Sequence, residues 1–175
     1  RYVRITNSTN LRILLIILFV FGSIRIFASF VIRTLLNSNF MSDCIICKII
    51  NNEIPGYKVY EDETKLAFLD IMPRSKGHTV AVIKRHALTV EDLSEEEIKD
   101  LFAMVKKVAG KIKAALKPDG FSIGWNNGSA AGQVVPHLHV HIIPRWDGDG
   151  GGNMHSIINN PSKDSLPDLL KLIIS

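Results

Sequence analysis

The sequence predicts an α+β domain: a mainly antiparallel sheet of about five strands with one long helix packed on it. Three observations carry that expectation. Short apolar runs follow one another between polar or glycine-containing turns, the rhythm of consecutive strands. The stretch Glu91–Leu116 repeats apolar residues at three- and four-residue spacing, the stripe of a helix laid on a sheet. Finally, Pro136-His-Leu-His-Val-His-Ile-Ile-Pro144 alternates imidazoles with aliphatics, and only a strand sends alternate side chains to opposite faces.

Taken in chain order, Cys44–Asn52 reads as a short helix with Ile45, Ile46, Ile49 and Ile50 on its apolar face. Tyr57–Tyr60 and Leu66–Asp70 are two strands joined by the polar turn Glu61–Lys65. Thr79–Ile83 is nearly all apolar and therefore central, and the turn cluster Pro73–Gly77 leads into it. In the long helix Ser94 and Glu97 form a capping-box signature, and glutamates crowd its first turn. Its buried stripe is Ile98, Leu101, Phe102, Val105, Val108, Ala109, Ile112 and Leu116, while its lysines form a solvated face. Lys117-Pro-Asp-Gly120 ends it. Phe121–Trp125 and His137–Ile143 are the fourth and fifth strands, joined by Asn126–Pro136. Phe68 is a core residue, and His155 is a solvated residue of the tail.

The organisation expected is three-part. Residues 1–40 form a hydrophobic extension, 41–146 the domain, and 147–175 a glycine-rich flexible tail with a short helix or docking segment at Leu166–Ile174. The extension holds five arginines and no acid, which leaves 16 basic against 17 acidic residues beyond it. The net charge of +4 is therefore no argument for nucleic-acid binding. Ile13–Ile24 is an uncharged run flanked by Arg12 and Arg25. It is shorter than the roughly 20 residues that span a bilayer, though it suits a signal-peptide core. The extension is expected to lie upstream of the working protein, with Met41-Ser-Asp-Cys as the start of a cytoplasmic chain. A signal or anchor segment, giving export or membrane attachment, is the alternative.

Three histidines at every second position admit three readings: a half-buried strand with incidental polar residues, a metal site, or an array supporting one reactive imidazole. On a regular strand the outer pair is separated by roughly 13 Å, too far for one ion to reach all three. In an array, one ring acts as nucleophile or base and its neighbours support it. Cys44 and Cys47, the two cysteines, likewise read as a redox pair, half a zinc site or two small buried residues. Half a zinc site needs two further ligands, and His86 and His137 are available.

His137 through Ile143 match the pattern His-φ-His-φ-His-φ-φ, φ being hydrophobic, at every position. Around it stand Cys44-Ile-Ile-Cys47, Glu53-Ile-Pro, Ala67-Phe-Leu-Asp70-Ile71, Lys76-Gly-His78-Thr, Lys84-Arg-His86, Asn126-Asn-Gly128 and Gly132-Gln133. From about Asp43 to about Trp146 the chain resembles the histidine-triad (HIT) superfamily, in its Hint-like bacterial-type branch. The resemblance implies a nucleotide hydrolase or transferase that cleaves P–N or P–O–P bonds at the α-phosphate of purine nucleotides. Its route would be a nucleotidyl-histidine intermediate on His139. Cleavage of dinucleoside polyphosphates, or regulatory nucleotide binding with little turnover, are the alternatives.

The same resemblance gives His141 a phosphate-stabilising role and places His78 in the histidine cluster. Gln133 and Asn126 would contact the scissile phosphate and leaving group, with Asp70 and Ile71 holding ribose and base. Structural zinc would sit on Cys44, Cys47, His86 and His137, and no catalytic metal is required. A homodimer built through the long helix and an adjacent strand is expected on the same ground. One position departs from the pattern: many Hint proteins carry Ser or Thr after the glutamine, and here it is Val134, which cannot donate a hydrogen bond.

Overall fold

A computed structural model describes residues 44–175. The extension over residues 1–40 and the start at Met41 lie outside the described residues. Helix α1 (Ile45–Ile50) opens with Cys44 as its N-cap, the thiol sulfur accepting from the Cys47 N–H. Strands β1 (Lys58–Glu61), β2 (Lys65–Leu69) and β3 (Thr79–Ile83) follow, then the long helix α2 (Glu95–Leu116), β4 (Gly120–Gly124), β5 (Val140–Arg145) and a terminal helix α3 (Leu166–Ile174). The five strands form one sheet in the order β1-β2-β3-β5-β4, with every neighbouring pair antiparallel. The expected fold class is the observed one. β3 sits at the centre, and all five of its residues are buried, as its nearly all-apolar composition requires.

Each face of the sheet is covered by a different helix. Ala67, Ala81, Ile83, Leu138, Val140 and Ile142 pack against Leu101, Met104, Val105, Val108 and Ile112 of α2. Leu66, Phe68, Val80 and Val82 point the other way, onto Cys44, Ile46, Cys47 and Ile49. His141 pairs with Val80 across β3 and β5, so it stands on this second face. The aliphatics of the histidine stretch therefore enter the α2 core while the imidazoles are left to the opposite side.

Four expectations need correction. The long helix begins at Glu95, not Glu91. Val90–Asp92 form a separate 3₁₀ turn with its own Thr89/Asp92 capping box, and Leu93 is extended. Ser94 then caps α2 together with Glu97, as the capping-box signature indicates. Phe102 is 38% exposed, and Met104 takes the core position; Phe102 packs its ring against Trp125, centroids 5.8 Å apart. The fifth strand starts at Val140 instead of His137. Before it the chain bends: His137 N–H bonds to Val135 O and Leu138 N–H to Ala87 O, so His137 and His139 are held by loop geometry. Lastly, the glycine-rich segment is not free at its start. Asp149 accepts two hydrogen bonds from the Arg145 guanidinium, which also reaches Ser122 Oγ and the Gly152 carbonyl. Beyond it lies α3, capped by Ser165. Among the described residues no helix is long and apolar enough to cross a membrane.

Candidate active site and metal centre

Two clusters lie next to each other, with the bend at His137–His139 between them. The first gathers Cys44 and Cys47 from the start of α1, His86 from the loop after β3, and His137. Their ligand atoms all lie within 4.8 Å of one another. His137 Nδ1 is 3.6 Å from Cys44 Sγ and 3.5 Å from Cys47 Sγ, and His86 Nδ1 is 3.2 Å from Cys47 Sγ. In a tetrahedral zinc site, with Zn–S near 2.3 Å and Zn–N near 2.0 Å, sulfur and nitrogen ligands stand roughly 3.5 Å apart. The donor types and these spacings fit that group.

The tautomer of His137 fits as well. Its Nε2 lies 3.0 Å from the Ile83 carbonyl, which can only accept, so the proton is on Nε2 and the Nδ1 lone pair faces the thiols. Both cysteines are buried and not bonded to each other. Burial, reinforced by Cys44, pushes the Cys47 thiol up to about 12. A cation among these sulfurs would reverse that shift, since a coordinating thiol gives up its proton. Burial also lowers His137 to about 4, which keeps its ring neutral, the form that ligates metals.

The second cluster holds His139, His141, His78 and Asp70. His139 Nδ1 is 2.6 Å from the carbonyl oxygen of His137. The carbonyl fixes the proton on Nδ1 and leaves the Nε2 lone pair unused by any hydrogen bond among the described residues. The ring is partly exposed and stands edge-on to His141, centroids 4.9 Å apart. His141 Nδ1 lies 3.0 Å from His78 Nε2. Burial, and then the neighbouring His139 and His78, lower His141 to about 4; burial lowers His78 too. Asp70 Oδ2 is 3.6 Å from His78 Nδ1, and its Oδ1 accepts from the Met72 N–H.

The remaining expected residues stand differently. The Gln133 amide is already committed: its oxygen accepts from Gly128 N–H, and its nitrogen donates to Val135 O within the loop and to Leu88 O outside it. Asn126 reaches Gly132 O at 3.5 Å. Its neighbour Asn127, which the sequence did not single out, ties the loop down by accepting from Val90 N–H and donating to Glu91. Ile71 and Val134 are 75% and 91% exposed and present apolar surface to solvent. The sequence also gave no sign of the backbone groups that orient the rings, such as the carbonyls of Ile83 and His137, because they carry no residue identity.

The family model for the HIT domain matches residues 51–148. An uncharacterized HIT-like protein of Methanocaldococcus jannaschii is 52% identical over 107 residues, 61% of this chain and 82% of its own. The adenosine 5′-monophosphoramidase of Schizosaccharomyces pombe is 44% identical over 102 residues, 58% of this chain and 74% of its own. Among solved structures, a Zn-bound histidine triad family protein from Mycobacterium smegmatis superposes with a TM-score of 0.60 at 32% identity, covering 71% of this chain and 86% of that one. The match of sequence, fold and histidine stretch has one reading: the chain belongs to the HIT family.

Proposed function

We propose that the protein is a nucleoside phosphoramidase-like hydrolase, acting at the α-phosphate of purine nucleotides through His139. The observation that carries this reading is the 2.6 Å contact between His139 Nδ1 and the His137 carbonyl. It leaves the Nε2 lone pair available on a partly exposed imidazole, which is how an activated nitrogen nucleophile is prepared. In the first step Nε2 attacks the α-phosphorus, and the bond to the leaving nitrogen breaks with its electron pair. The leaving amine takes a proton from solvent. The imidazolium so formed keeps its Nδ1–H on the carbonyl. In the second step water attacks phosphorus, the P–Nε2 bond breaks, and a proton returns to solvent. His141, beside His139, stabilises the phosphate charge that develops in both steps. Asp70 and Ile71 are assigned to ribose and base. His78 acts on His141 and not on the nucleotide. Kinship with an adenosine 5′-monophosphoramidase supports P–N cleavage as the first chemistry to test.

Cys44, Cys47, His86 and His137 would hold zinc. With four protein ligands the site is closed, so the metal supplies folding energy and leaves catalysis to the imidazoles. A homodimer is part of the same proposal: Phe102, Ile123 and Trp125 expose 37–40% of their surface beside β4, an edge of the sheet, and exposed apolar edges call for a partner.

A second reading, nucleotide binding with little turnover, has its own support. Val134 cannot bond a leaving group, and the Gln133 amide is already engaged. The test is hydrolysis of adenosine phosphoramidates and dinucleoside polyphosphates by the wild type and by His139→Ala. Turnover that disappears in the variant supports the enzyme; binding without turnover in the wild type supports the second reading.

A further inference from the structure

His141 can serve as a phosphate-stabilising donor only if its proton sits on Nε2, because Nδ1 faces His78. An imidazole in isolation does not guarantee that choice, since either nitrogen can carry the proton. The structure contains a group that decides it. On the side of His78 away from His141, the backbone N–H of Arg74 donates to His78 Nδ1 at 3.2 Å. An N–H can only donate, so His78 Nδ1 is bare and its proton lies on Nε2. That proton is then given to His141 Nδ1 across 3.0 Å, which leaves the His141 proton on Nε2.

We propose that the Arg74 backbone amide sets the polarity of the His78–His141 pair, making the Pro73–Gly77 turn a positioning element of the phosphate site. This inference rests on the role assigned to His141 above. His78 is 3% exposed and Thr79 is fully buried, so the pair is anchored at the head of β3. The turn is in turn fixed by His78 N–H to Ser75 O and by Ser75 Oγ to the Pro144 carbonyl on β5.

Asp70, His78 and His141 also lie close enough together to suggest a second cation site. The contacts point elsewhere. Asp70 and Arg74 approach His78 at Nδ1, whereas His141 approaches at Nε2. One ion cannot take both edges of one ring. What Asp70 offers, 3.6 Å from His78 Nδ1, is the opposite polarity. If the amide were removed, Nδ1–H could turn to the carboxylate, Nε2 would become the acceptor, and His141 would present a lone pair to the phosphate.

The experiment is a long-range ¹⁵N–¹H correlation spectrum of the imidazoles in the full chain, read for wild type, Arg74→Ala, Arg74→Pro and His78→Leu. The wild type should show His141 with a protonated Nε2 and a bare Nδ1. Arg74→Pro deletes the one N–H and keeps both rings, and Arg74→Ala, which loses the guanidinium but keeps the N–H, serves as its reference; relative to Arg74→Ala it should invert that pattern and lower kcat at least about tenfold with KM changed less. If Arg74→Pro does not fold, His78→Leu serves instead, and should leave His141 an average of both tautomers. A wild-type His141 protonated on Nδ1 overturns the proposal, as does an unchanged pattern in folded Arg74→Pro or His78→Leu. The outcomes separate from those of the proposed activity. Correct tautomers without phosphoramidate turnover would remove the activity alone, and full turnover with an Nδ1-protonated His141 would remove the relay alone.

Discussion

The carbonyl of His137 and the ring of His139 are joined by a 2.6 Å hydrogen bond, and the imidazole of the same His137 is buried among Cys44, Cys47 and His86. One residue therefore belongs to both clusters, with its side chain in one and its backbone in the other. Whatever fixes the Cys/His cluster also fixes the ring that is proposed to attack phosphorus.

Removing a ligand should be felt at both places. Purified protein is expected to carry about one zinc per chain. Loss of an outer-shell partner typically costs about 10–100-fold in metal affinity, so Cys44→Ser should cost more than about 100-fold. Zinc content and Tm should fall together, and the His139 Nδ1–H resonance should broaden. Metal-free protein with an unchanged Tm would contradict the assignment.

The turn before β3 offers a second check. Gly77 has φ +81°, and a Cβ there would collide with Leu116 Cδ1 at the end of α2. Gly77→Ala should cost about 1–3 kcal/mol, measured by urea unfolding. Because Gly77 immediately precedes His78, turnover should drop as well. A neutral substitution would mean that the turn relaxes freely.

Acid should act through the second cluster. His141 titrates at about 4 in the fold against 6.5 for the unperturbed ring, so the unfolded chain takes up its proton first. Stability from this residue is fully present above pH 6.5, erodes as the pH falls through that value, and is lost by about pH 4. His78 shifts in the same direction. Tm followed from pH 7.5 to 4 should fall less steeply in His141→Asn than in the wild type, whatever the variant's stability at neutral pH. Parallel curves would show that His141 is not buried in its neutral form.

The edge formed by Phe102, Ile123 and Trp125 should be covered in solution. Light scattering is expected to give twice the chain mass at micromolar concentration, and Trp125→Asp should give the monomer. A monomeric wild type would refute the dimer.

The fold was legible in the sequence wherever one physical pattern acted alone. Thr79–Ile83, nearly all apolar, is the central strand with those bounds, and Ser94 with Glu97 marks the start of α2. Legibility failed where two signals overlapped. The acidic Glu91 and Asp92 suit a helix start, yet they belong to a separate turn. The alternation from His137 onward reads as strand, but only Val140–Arg145 is one, because the preceding residues spend their N–H groups on Val135 and Ala87. For the site, the alternating histidines and the Cys44/Cys47 pair stood out by type and spacing, whereas Asp70, His78 and the full ligand set came from the family resemblance. The Ile83 and His137 carbonyls and the Arg74 N–H were not identifiable, although each lies against one nitrogen of its ring. Gln133 shows the converse: a recognisable residue whose amide is taken up by Gly128 N–H and the Leu88 carbonyl.

The central claim is that His139 Nε2 becomes covalently bonded to phosphorus. It is tested most directly by mixing the protein with an adenosine phosphoramidate, quenching into alkali, where a phosphoramidate linkage survives, and mapping the labelled peptide by mass spectrometry. One adenylyl group per chain is expected on His139, absent from His139→Ala and reduced but detectable in His141→Ala, because losing one stabilising donor slows such a step about 10²–10³-fold without removing the nucleophile. Steady hydrolysis with no trapped nucleotide, or a label on His137 or His141, would contradict it.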